Sequence, residues 1–253
     1  MALRIAFDLD GVLADMESEL GRQAEMLFGE TMAQRLRERA AGAAAPPDAA
    51  DASDEPPTGN LAGTLIDEPP VRTLKMTPRQ QRRLWRHVEA IEDFWLTLSE
   101  MEPGIVERVA MLAAERRWEV IFLTKRPQTA GATAQVQTQR WLEAHGFPLP
   151  SVYVVQGSRG KIAAALDLDI IVDDRPENCL DVVVDSKARA ILVWRGGQPQ
   201  LPAAARRLGI GVVQSIAECL DVLTQIDTPA SEQIGMKERV MRLLGLKALP
   251  AQV

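Results

Sequence analysis

Short runs rich in Val and Ile recur through the second half of the chain, separated by stretches with helical spacing of apolar residues. Such runs are typical of buried strands. We expect strands at 119–124, 151–155, 169–173, 190–194 and 210–213. Helical patterns lie among them at 105–116, 129–145, 161–166 and 216–225. Strands that alternate with helices predict an α/β fold with a parallel sheet and helices on both faces.

The chain opens with another strand pattern, RIAFDLDGVLAD, which runs from Arg4 to Asp15. This strand could not bury its apolar residues alone, so we expect it to join the same sheet. The region after it is helical in pattern. Residues 16–41 have helical spacing with a break near Gly29, and residues 77–98 begin with a Thr-Pro helix start. The helix predicted at residues 77–98 has one apolar face, which is formed by Leu84, Val88, Ile91 and Trp95.

The pattern divides the chain into a core, an insertion and a tail. Residues 40–60 are rich in Ala, Pro and Asp and lack aromatic residues, which predicts a flexible loop. We therefore expect a core of residues 1–15 and 102–227, with a helical cap of residues 16–101 inserted after the first strand. Residues 228–253 form a tail in which Ser231 favours the start of one more amphipathic helix.

Composition narrows the class of partner. The 253 residues are 46% hydrophobic and 25% charged, as in ordinary globular proteins, and the net charge of -6 argues against a nucleic-acid polymer as partner. The two cysteines have no CxxC spacing, so a disulfide framework or zinc site is not expected. No apolar run reaches the roughly 18 residues of a membrane helix, and no signal-peptide pattern precedes the first strand. We expect a cytoplasmic protein that acts on a small molecule. The sequence does not decide whether the protein forms a homo-oligomer.

Two carboxylates stand at the end of the first strand. Side chains at i and i+2 of an extended chain point the same way, so Asp8 and Asp10 should face one spot, and Gly11 permits a sharp exit. Two nearby carboxylates repel unless a cation or a shared proton intervenes. Magnesium suits such a place because it prefers oxygen ligands and often sits between carboxylates and a substrate phosphate.

Other polar residues follow the remaining strands. Ligands of open α/β sheets bind outside the carboxyl ends of the strands. The second strand ends at Thr124, the segment GSRGK places Lys161 at a helix start after the third, and the fourth ends at Asp173 and Asp174. Arg159 is an alternative to Lys161 for the cation at this edge. GSRGK is not a P-loop, because its glycine spacing differs and no hydroxyl residue follows the lysine.

Taken in order, these segments resemble the four motifs of the haloacid dehalogenase (HAD) superfamily. FDLDGVLAD resembles the first, FLT the second, Lys161 the third and IVDD the fourth. The resemblance covers residues 3–15 and about 104–215, and it implies a Rossmann-like core with a helical type I cap. DLDGVLAD followed by FW, EPG and IVDDRP is also similar to the 5′-nucleotidase and 5′(3′)-deoxyribonucleotidase group.

The resemblance implies a mechanism for the transfer of a phosphoryl group. Asp8 would be the nucleophile that forms an aspartyl phosphate. Asp10 would protonate the leaving oxygen and later deprotonate the attacking water. Thr124 would hydrogen-bond the phosphoryl oxygens, and Lys161 would offset the charge shared by phosphate and nucleophile. Because a halide leaves without a proton, the acid at position 10 favours a phosphatase over a dehalogenase.

The same resemblance implies a magnesium site and a substrate. The ion would be held by Asp8, the backbone carbonyl of Asp10 and one carboxylate of Asp173 or Asp174. Three residues are candidates for substrate binding: Lys125, Arg126 and Phe94. Arg126 would hold a substrate group or pair with a nearby acid, and Phe94 lies off the apolar stripe, where it could stack on a base.

The leading function is a magnesium-dependent phosphatase for a small phosphate monoester such as a (deoxy)nucleoside monophosphate. Two alternatives remain, a binding or regulatory protein that keeps the fold without turnover, and a phosphomutase.

Overall fold

The structure, a computed structural model, describes residues 2–40, 74, 76–196, 205 and 207–227. Two predictions lie outside the described residues: the loop at 40–60, of which only residue 40 is described, and the tail helix within 228–253. No helix of the described part is long and apolar enough to cross a membrane.

The sheet has six parallel strands across the described residues. They are β1 (Arg4–Asp8), β2 (Glu119–Thr124), β3 (Ser151–Val154), β4 (Ile170–Asp173), β5 (Arg189–Val193) and β6 (Gly211–Val213). Their order in the sheet is β3-β2-β1-β4-β5-β6. The predicted α/β fold with a parallel sheet is therefore confirmed.

The register brings the ends of three strands to one edge. Phe7 of β1 pairs with Phe122 of β2 and with Val172 of β4. Since the strands are parallel, the next residues along each one, Asp8 in β1 and Asp173 in β4, emerge side by side. The apolar residues of the central strand are fully buried, which explains why its sequence is a continuous apolar run rather than an alternating one.

Eight helices are described. They are α1 (Met16–Phe28), α2 (Glu30–Ala40), α3 (Pro78–Glu89), α4 (Ile105–Arg116), α5 (Ala134–Ala144), α6 (Arg159–Ala165), α7 (Pro176–Asp185) and α8 (Ile216–Ile226). α4 agrees with the expected bounds. α5 begins later than expected because the Thr133 side chain accepts a hydrogen bond from the Val136 N–H, 3.3 Å away, and so caps the helix there. α6 begins at Arg159, two residues before the expected start.

The helices between β1 and β2 follow the expected order but not every expected bound. The break between α1 and α2 falls at Gly29, whose φ is +85°. α3 has the Thr-Pro start, with Thr77 and Gln80 forming a capping box. It ends at Glu89 rather than at 98, and a 3₁₀ helix follows at Phe94–Leu96. Asp93, at φ +50°, separates the two, because a left-handed residue cannot continue an α-helix.

The chain divides into two compact units. One holds the described residues of Met1–Met16, Trp95–Arg126 and Ala132–Val253, and the other holds those of Glu17–Phe94 and Pro127–Gly131. Residues 95–101, which the sequence pattern assigned to the cap, thus lie in the first unit.

The insertion leaves and re-enters the first unit at adjacent points. The Asp15 N–H donates to the Ser99 carbonyl at 2.9 Å, and the Met101 N–H donates to the Leu13 carbonyl at 2.8 Å. These two bonds hold the ends of the insertion together beside the turn that follows β1.

Candidate active site

The turn after β1 is wound tightly around one carbonyl. The Leu9 carbonyl accepts hydrogen bonds from the N–H groups of Leu13 at 2.9 Å and Ala14 at 2.8 Å. Gly11 has a φ of +86°, and a Cβ there would lie 2.6 Å from Asp174 Oδ2. Only glycine fits both demands. The Asp174 carboxylate therefore lies directly against the backbone that carries Asp8 and Asp10.

Asp8 forms a buried ion pair with Arg159. Arg159 Nη2 donates to Asp8 Oδ1 at 2.5 Å, and both side chains are nearly inaccessible. The same guanidinium reaches β4, since its Nε lies 3.6 Å from Asp173 Oδ2. One cation thus links the carboxylates that end two neighbouring strands. Its Nε and Nη1 have no hydrogen-bond partner among the described residues.

The structure places Arg159, and not Lys161, beside Asp8. Lys161 is exposed, whereas Arg159 is 2% exposed. Arg159 is the first residue of α6, and residues two apart on a helix do not share a face. α6 also packs closely on α7, where a Cβ at Gly160 would overlap the Asp181 carbonyl oxygen. Arg159, the alternative that GSRGK offered, thus lies where Lys161 was expected.

Burial and mutual repulsion raise the pKa of two carboxyl groups. Desolvation, and then the charge of Asp173, raises the pKa of Asp8 to about 8, although Arg159 opposes the shift. Desolvation and the charge of Asp174 raise the pKa of Asp173 to about 6. A pKa displaced by burial and like charge at a sheet edge is characteristic of a functional site.

Asp173 and Asp174 differ in what they contact. Asp173 is fully buried and accepts hydrogen bonds from the Arg175 N–H at 2.9 Å and from Asn178 Nδ2 at 2.9 and 3.0 Å. Its carboxylate is thus held by protein donors at the start of α7. Asp174 is partly exposed and lies against Gly11. This difference separates two residues that the sequence left as equal alternatives.

Asp10 has its own cation, Arg126. Arg126 Nη2 donates to Asp10 Oδ1 at 2.8 Å, and Arg126 Nε lies 3.1 and 3.0 Å from the two oxygens. The Thr124 hydroxyl donates to Asp10 Oδ2 at 3.0 Å. Thr124 is fully buried, so its hydroxyl holds Asp10 rather than making the phosphoryl contact that the resemblance implied. Arg126 pairs with an acid, one of its two expected roles, and does not present a free group for substrate.

The other two candidates for substrate binding differ in accessibility. Lys125 follows β2, is half-buried, and forms no hydrogen bond or ion pair with any described residue. Phe94 is 0% exposed, so its ring offers no open face for the stacking that was expected of it. Trp95, on the apolar face of the predicted helix, is also fully buried, and its ring centroid lies 4.8 Å from Arg126 Cζ.

Two further residues support the turn after β1: Arg195, which no sequence motif indicated, and Glu102, which belongs to the EPG segment but had no predicted role. Arg195 Nη1 donates to the Gly11 carbonyl at 2.5 Å, and Arg195 Nη2 donates to Glu102 Oε1 at 3.1 Å. Glu102 in turn accepts from the N–H groups of Ile216 at 2.7 Å and Ala217 at 3.0 Å, at the start of α8. The turn is thereby anchored to a helix far away in sequence.

The donors around Asp10 and Gly11 fit a magnesium ion. Among the described residues, no three Asp, Glu, His or Cys side chains group around one ion position. Magnesium does not require that, since it commonly takes one or two carboxylates and completes its shell with water and phosphate oxygens. Asp8, the Asp10 carbonyl and Asp174, whose carboxylate lies against Gly11, are oxygens of this kind at the end of β1.

Comparisons with known proteins identify the fold. No protein-family model matches the chain, and no curated protein sequence matches it. A protein assigned as a beta-phosphoglucomutase from Thermotoga maritima is 17% identical, with a TM-score of 0.51 over 88% of this chain and 99% of that one. A hydrolase from Pseudomonas syringae is 18% identical, with a TM-score of 0.48 over 88% and 99%.

A HAD family hydrolase from Deinococcus radiodurans R1, with bound phosphate and sodium, is 16% identical, with a TM-score of 0.48 over 90% of this chain and 99% of that one. The order of the six parallel strands, the helices that enter after β1 and the likeness to the Thermotoga protein agree. The chain therefore has a Rossmann-like α/β fold similar to that of the Thermotoga protein.

Proposed function

We propose that this chain is a magnesium-dependent phosphomonoester hydrolase of the HAD superfamily that works through an aspartyl phosphate at Asp8. The observation that carries the proposal is the pairing of two carboxylates, two residues apart, with separate buried arginines. Asp8 pairs with Arg159 at 2.5 Å and Asp10 pairs with Arg126 at 2.8 Å. Two carboxylates in different surroundings can take different roles, one as nucleophile and one as acid and base.

Asp8 is the nucleophile of the proposed reaction. Its carboxylate oxygen forms a bond to phosphorus while the bond from phosphorus to the ester oxygen breaks, and an acyl phosphate results. The nucleophile must be ionised, and Arg159 favours the ionised form. The positive charge of Arg159 beside Asp8 offsets the negative charge that the nucleophile shares with the phosphoryl group in the transition state.

Asp10 handles the proton in both halves of the reaction. Its carboxyl group gives a proton to the departing ester oxygen, and the resulting carboxylate then takes one from the water that attacks the acyl phosphate. The bond between Asp8 and phosphorus breaks in that second step, and inorganic phosphate leaves. The enzyme returns to its starting protonation state.

Magnesium would be held by Asp8, the Asp10 carbonyl and Asp174. When bound, the ion supplies positive charge that neutralises the phosphate and the carboxylates around it. Asp173 accepts hydrogen bonds from the Arg175 N–H and from Asn178 Nδ2, which fix its carboxylate at the end of β4.

The substrate we propose is a small phosphate monoester, with (deoxy)nucleoside monophosphates as the first compounds to test. Lys125 supports an anionic substrate because it follows Thr124 at the end of β2 and forms no hydrogen bond or ion pair with a described residue. The motif similarity to the nucleotidase group supports the nucleoside, whereas the buried ring of Phe94 gives it no support. The substrate assignment is thus separate from the proposed chemistry.

The experiment that tests the proposal is phosphate release from a panel of phosphate monoesters, with magnesium and with EDTA. We expect magnesium-dependent release by the wild type and none by Asp8→Asn, which keeps the side-chain shape but loses the nucleophile. Acid-stable, hydroxylamine-sensitive label from a ³²P-labelled ester would identify the acyl phosphate. Undiminished activity of Asp8→Asn would refute the mechanism. An isomerised sugar phosphate without release would identify a mutase, and binding without either would identify a non-hydrolytic protein.

A further inference from the structure

Every nitrogen of the Arg126 side chain is already committed within the protein. Nε and Nη2 contact the Asp10 carboxylate, and Nη1 donates to Thr138 Oγ1 at 2.9 Å. The side chain is 0% exposed. A guanidinium with all its nitrogens engaged and no accessible surface does not bind a ligand directly. Its effect on a reaction must pass through the groups that it contacts.

The surroundings of Arg126 hold its plane in one orientation. The Trp95 ring lies against the guanidinium, 4.8 Å from Cζ to the ring centroid. Thr138 Oγ1 is itself fixed, since it donates to the Ala134 carbonyl at 2.7 Å. The backbone N–H of Trp95 donates to Gln137 Oε1 at 3.0 Å, which holds Trp95 against the same helix, α5. These groups belong to the first unit, so Arg126 is supported within one compact body.

Because Arg126 is held in one orientation, it also fixes the carboxylate of Asp10. Contacts from Nε and Nη2 reach both carboxylate oxygens, and Thr124 adds a donor to one of them. Two-point contact with a planar guanidinium fixes the plane of a carboxyl group, which a lysine ammonium cannot do. The Asp10 side chain keeps 12% of its surface exposed, so a small part of it remains available to a ligand.

We infer that Arg126 is a positioning residue that orients Asp10 for proton transfer to the leaving oxygen, and that it contributes to the reaction through Asp10 alone. The inference rests on the proposed phosphatase function. Proton transfer requires the acid to be within about 2.6–3.2 Å of the oxygen with suitable alignment, so a misoriented Asp10 loses its benefit. The two buried arginines would then act separately, Arg159 on the nucleophile and Arg126 on the acid.

The dependence on leaving group tests the inference. p-Nitrophenolate departs without needing a proton, whereas an alkoxide needs one. We would compare kcat/KM for p-nitrophenyl phosphate with that for the best alkyl phosphate in the panel, since kcat/KM reports only steps up to departure of the leaving group. Arg126→Lys should lower the alkyl value on the order of 10²-fold and the aryl value much less. Arg108→Lys, in an exposed ion pair with Asp221, is the matched control and should change neither.

A double mutant separates positioning from other roles. In the Asp10→Asn background, Arg126→Lys should cause no further fall in the ratio of alkyl to aryl kcat/KM, because the group through which it acts is gone. Equal losses for both esters, or a further loss of the ratio in the Asp10→Asn background, would overturn the inference. The proposed function would fail differently, through a wild type that releases phosphate from no ester, and the inference would fall with it.

Thr138→Val guards against loss of folding in Arg126→Lys. It removes the partner of Nη1 and leaves the contacts with Asp10 in place, so we expect a smaller change of the ratio in the same direction. Circular dichroism and thermal unfolding would show which variants are folded. If only Thr138→Val folds, an unchanged ratio in that variant would overturn the inference.

Discussion

Arg159 and Asp8 form a buried ion pair in which Nη2 lies 2.5 Å from Oδ1, at the point where β1 ends. Lys161, in the same helix, is exposed. The two cations therefore predict opposite mutational results. Arg159→Lys should lower kcat on the order of 10²-fold or more, the size of effect seen when one preorganised donor to a transition state is removed. Lys161→Gln should keep activity close to wild type.

Steady-state kinetics of both variants on one phosphate ester would check this prediction, with thermal unfolding to confirm that each is folded. A large loss in Lys161→Gln together with little change in Arg159→Lys would show that the lysine, and not the arginine, serves the nucleophile.

The raised pKa of Asp8 predicts how stability depends on pH when no metal is bound. The carboxyl group has a pKa of about 8 in the folded protein and about 4 when unfolded, so the folded state binds its proton more tightly. Stability should be greatest below about pH 4 as far as this group is concerned, and should fall as pH rises towards 8. Each pKa unit corresponds to about 1.4 kcal/mol, so the fall amounts to a few kcal/mol.

Urea unfolding in EDTA across this pH range would measure the fall, and Asp8→Asn is the matched variant. Because asparagine stays neutral, its stability should depend less on pH and should exceed that of the wild type at pH 8. Magnesium should restore much of the wild-type loss, since it favours the ionised carboxylate. A wild type whose stability rises with pH in EDTA would contradict the prediction.

The central strands were predictable because they are buried. All four residues of Ile170–Asp173 are buried, so this strand is a short apolar run that stands out from its surroundings. Helix ends were less predictable. α3 stops at Glu89 although apolar spacing continues to Trp95. The Ala90 and Ile91 N–H groups bond to carbonyls three residues back, which tightens and ends the last turn, and the sequence pattern carries no mark of that change.

The site was predictable in part for the same kind of reason. Asp8 and Asp10 were found because strand periodicity and sheet topology bring them to one edge. The choice between Arg159 and Lys161 could not be predicted from the sequence, since it depends on where α6 begins. The partner of Arg126 could not be predicted either, because the sequence does not show whether a buried cation contacts an acid or a substrate. The same i, i+2 spacing relates Thr124 to Arg126, and that was a usable signal.

Gly11 is predicted to be necessary for the metal site. A side chain there would meet two costs, a left-handed backbone worth about 1–2 kcal/mol and a collision with Asp174, 2.6 Å away. Gly11→Ala should therefore weaken magnesium binding as well as stability. Gly29→Ala is the matched control, because Gly29 has a φ of +85° but nothing within 4 Å of its Cβ position.

Magnesium titration monitored by thermal unfolding would compare the two alanine variants. Both should lose stability in EDTA, whereas only Gly11→Ala should lose the stabilisation that magnesium gives to the wild type. Equal stabilisation by magnesium in both variants would place the ion away from Asp174.

The anchor formed by Arg195 and Glu102 should matter more than an ordinary surface ion pair. Arg195 donates to the Gly11 carbonyl as well as to Glu102, and Glu102 also accepts two N–H bonds at the start of α8. Arg195→Met should cost roughly 1–3 kcal/mol, because charged hydrogen bonds are lost and acceptors are left unpaired. Breaking the exposed pair of Arg108 and Asp221 with Arg108→Met should cost less than about 1 kcal/mol.

Urea unfolding of both methionine variants would give these free energies. Kinetics would show whether the anchor also serves the site. Because the lost donor holds the turn that carries Asp10, Arg195→Met should raise the magnesium concentration needed for half-maximal activity, whereas Arg108→Met should leave it unchanged. Similar destabilisation in the two variants, with no change in the magnesium requirement, would show that the anchor is structural only.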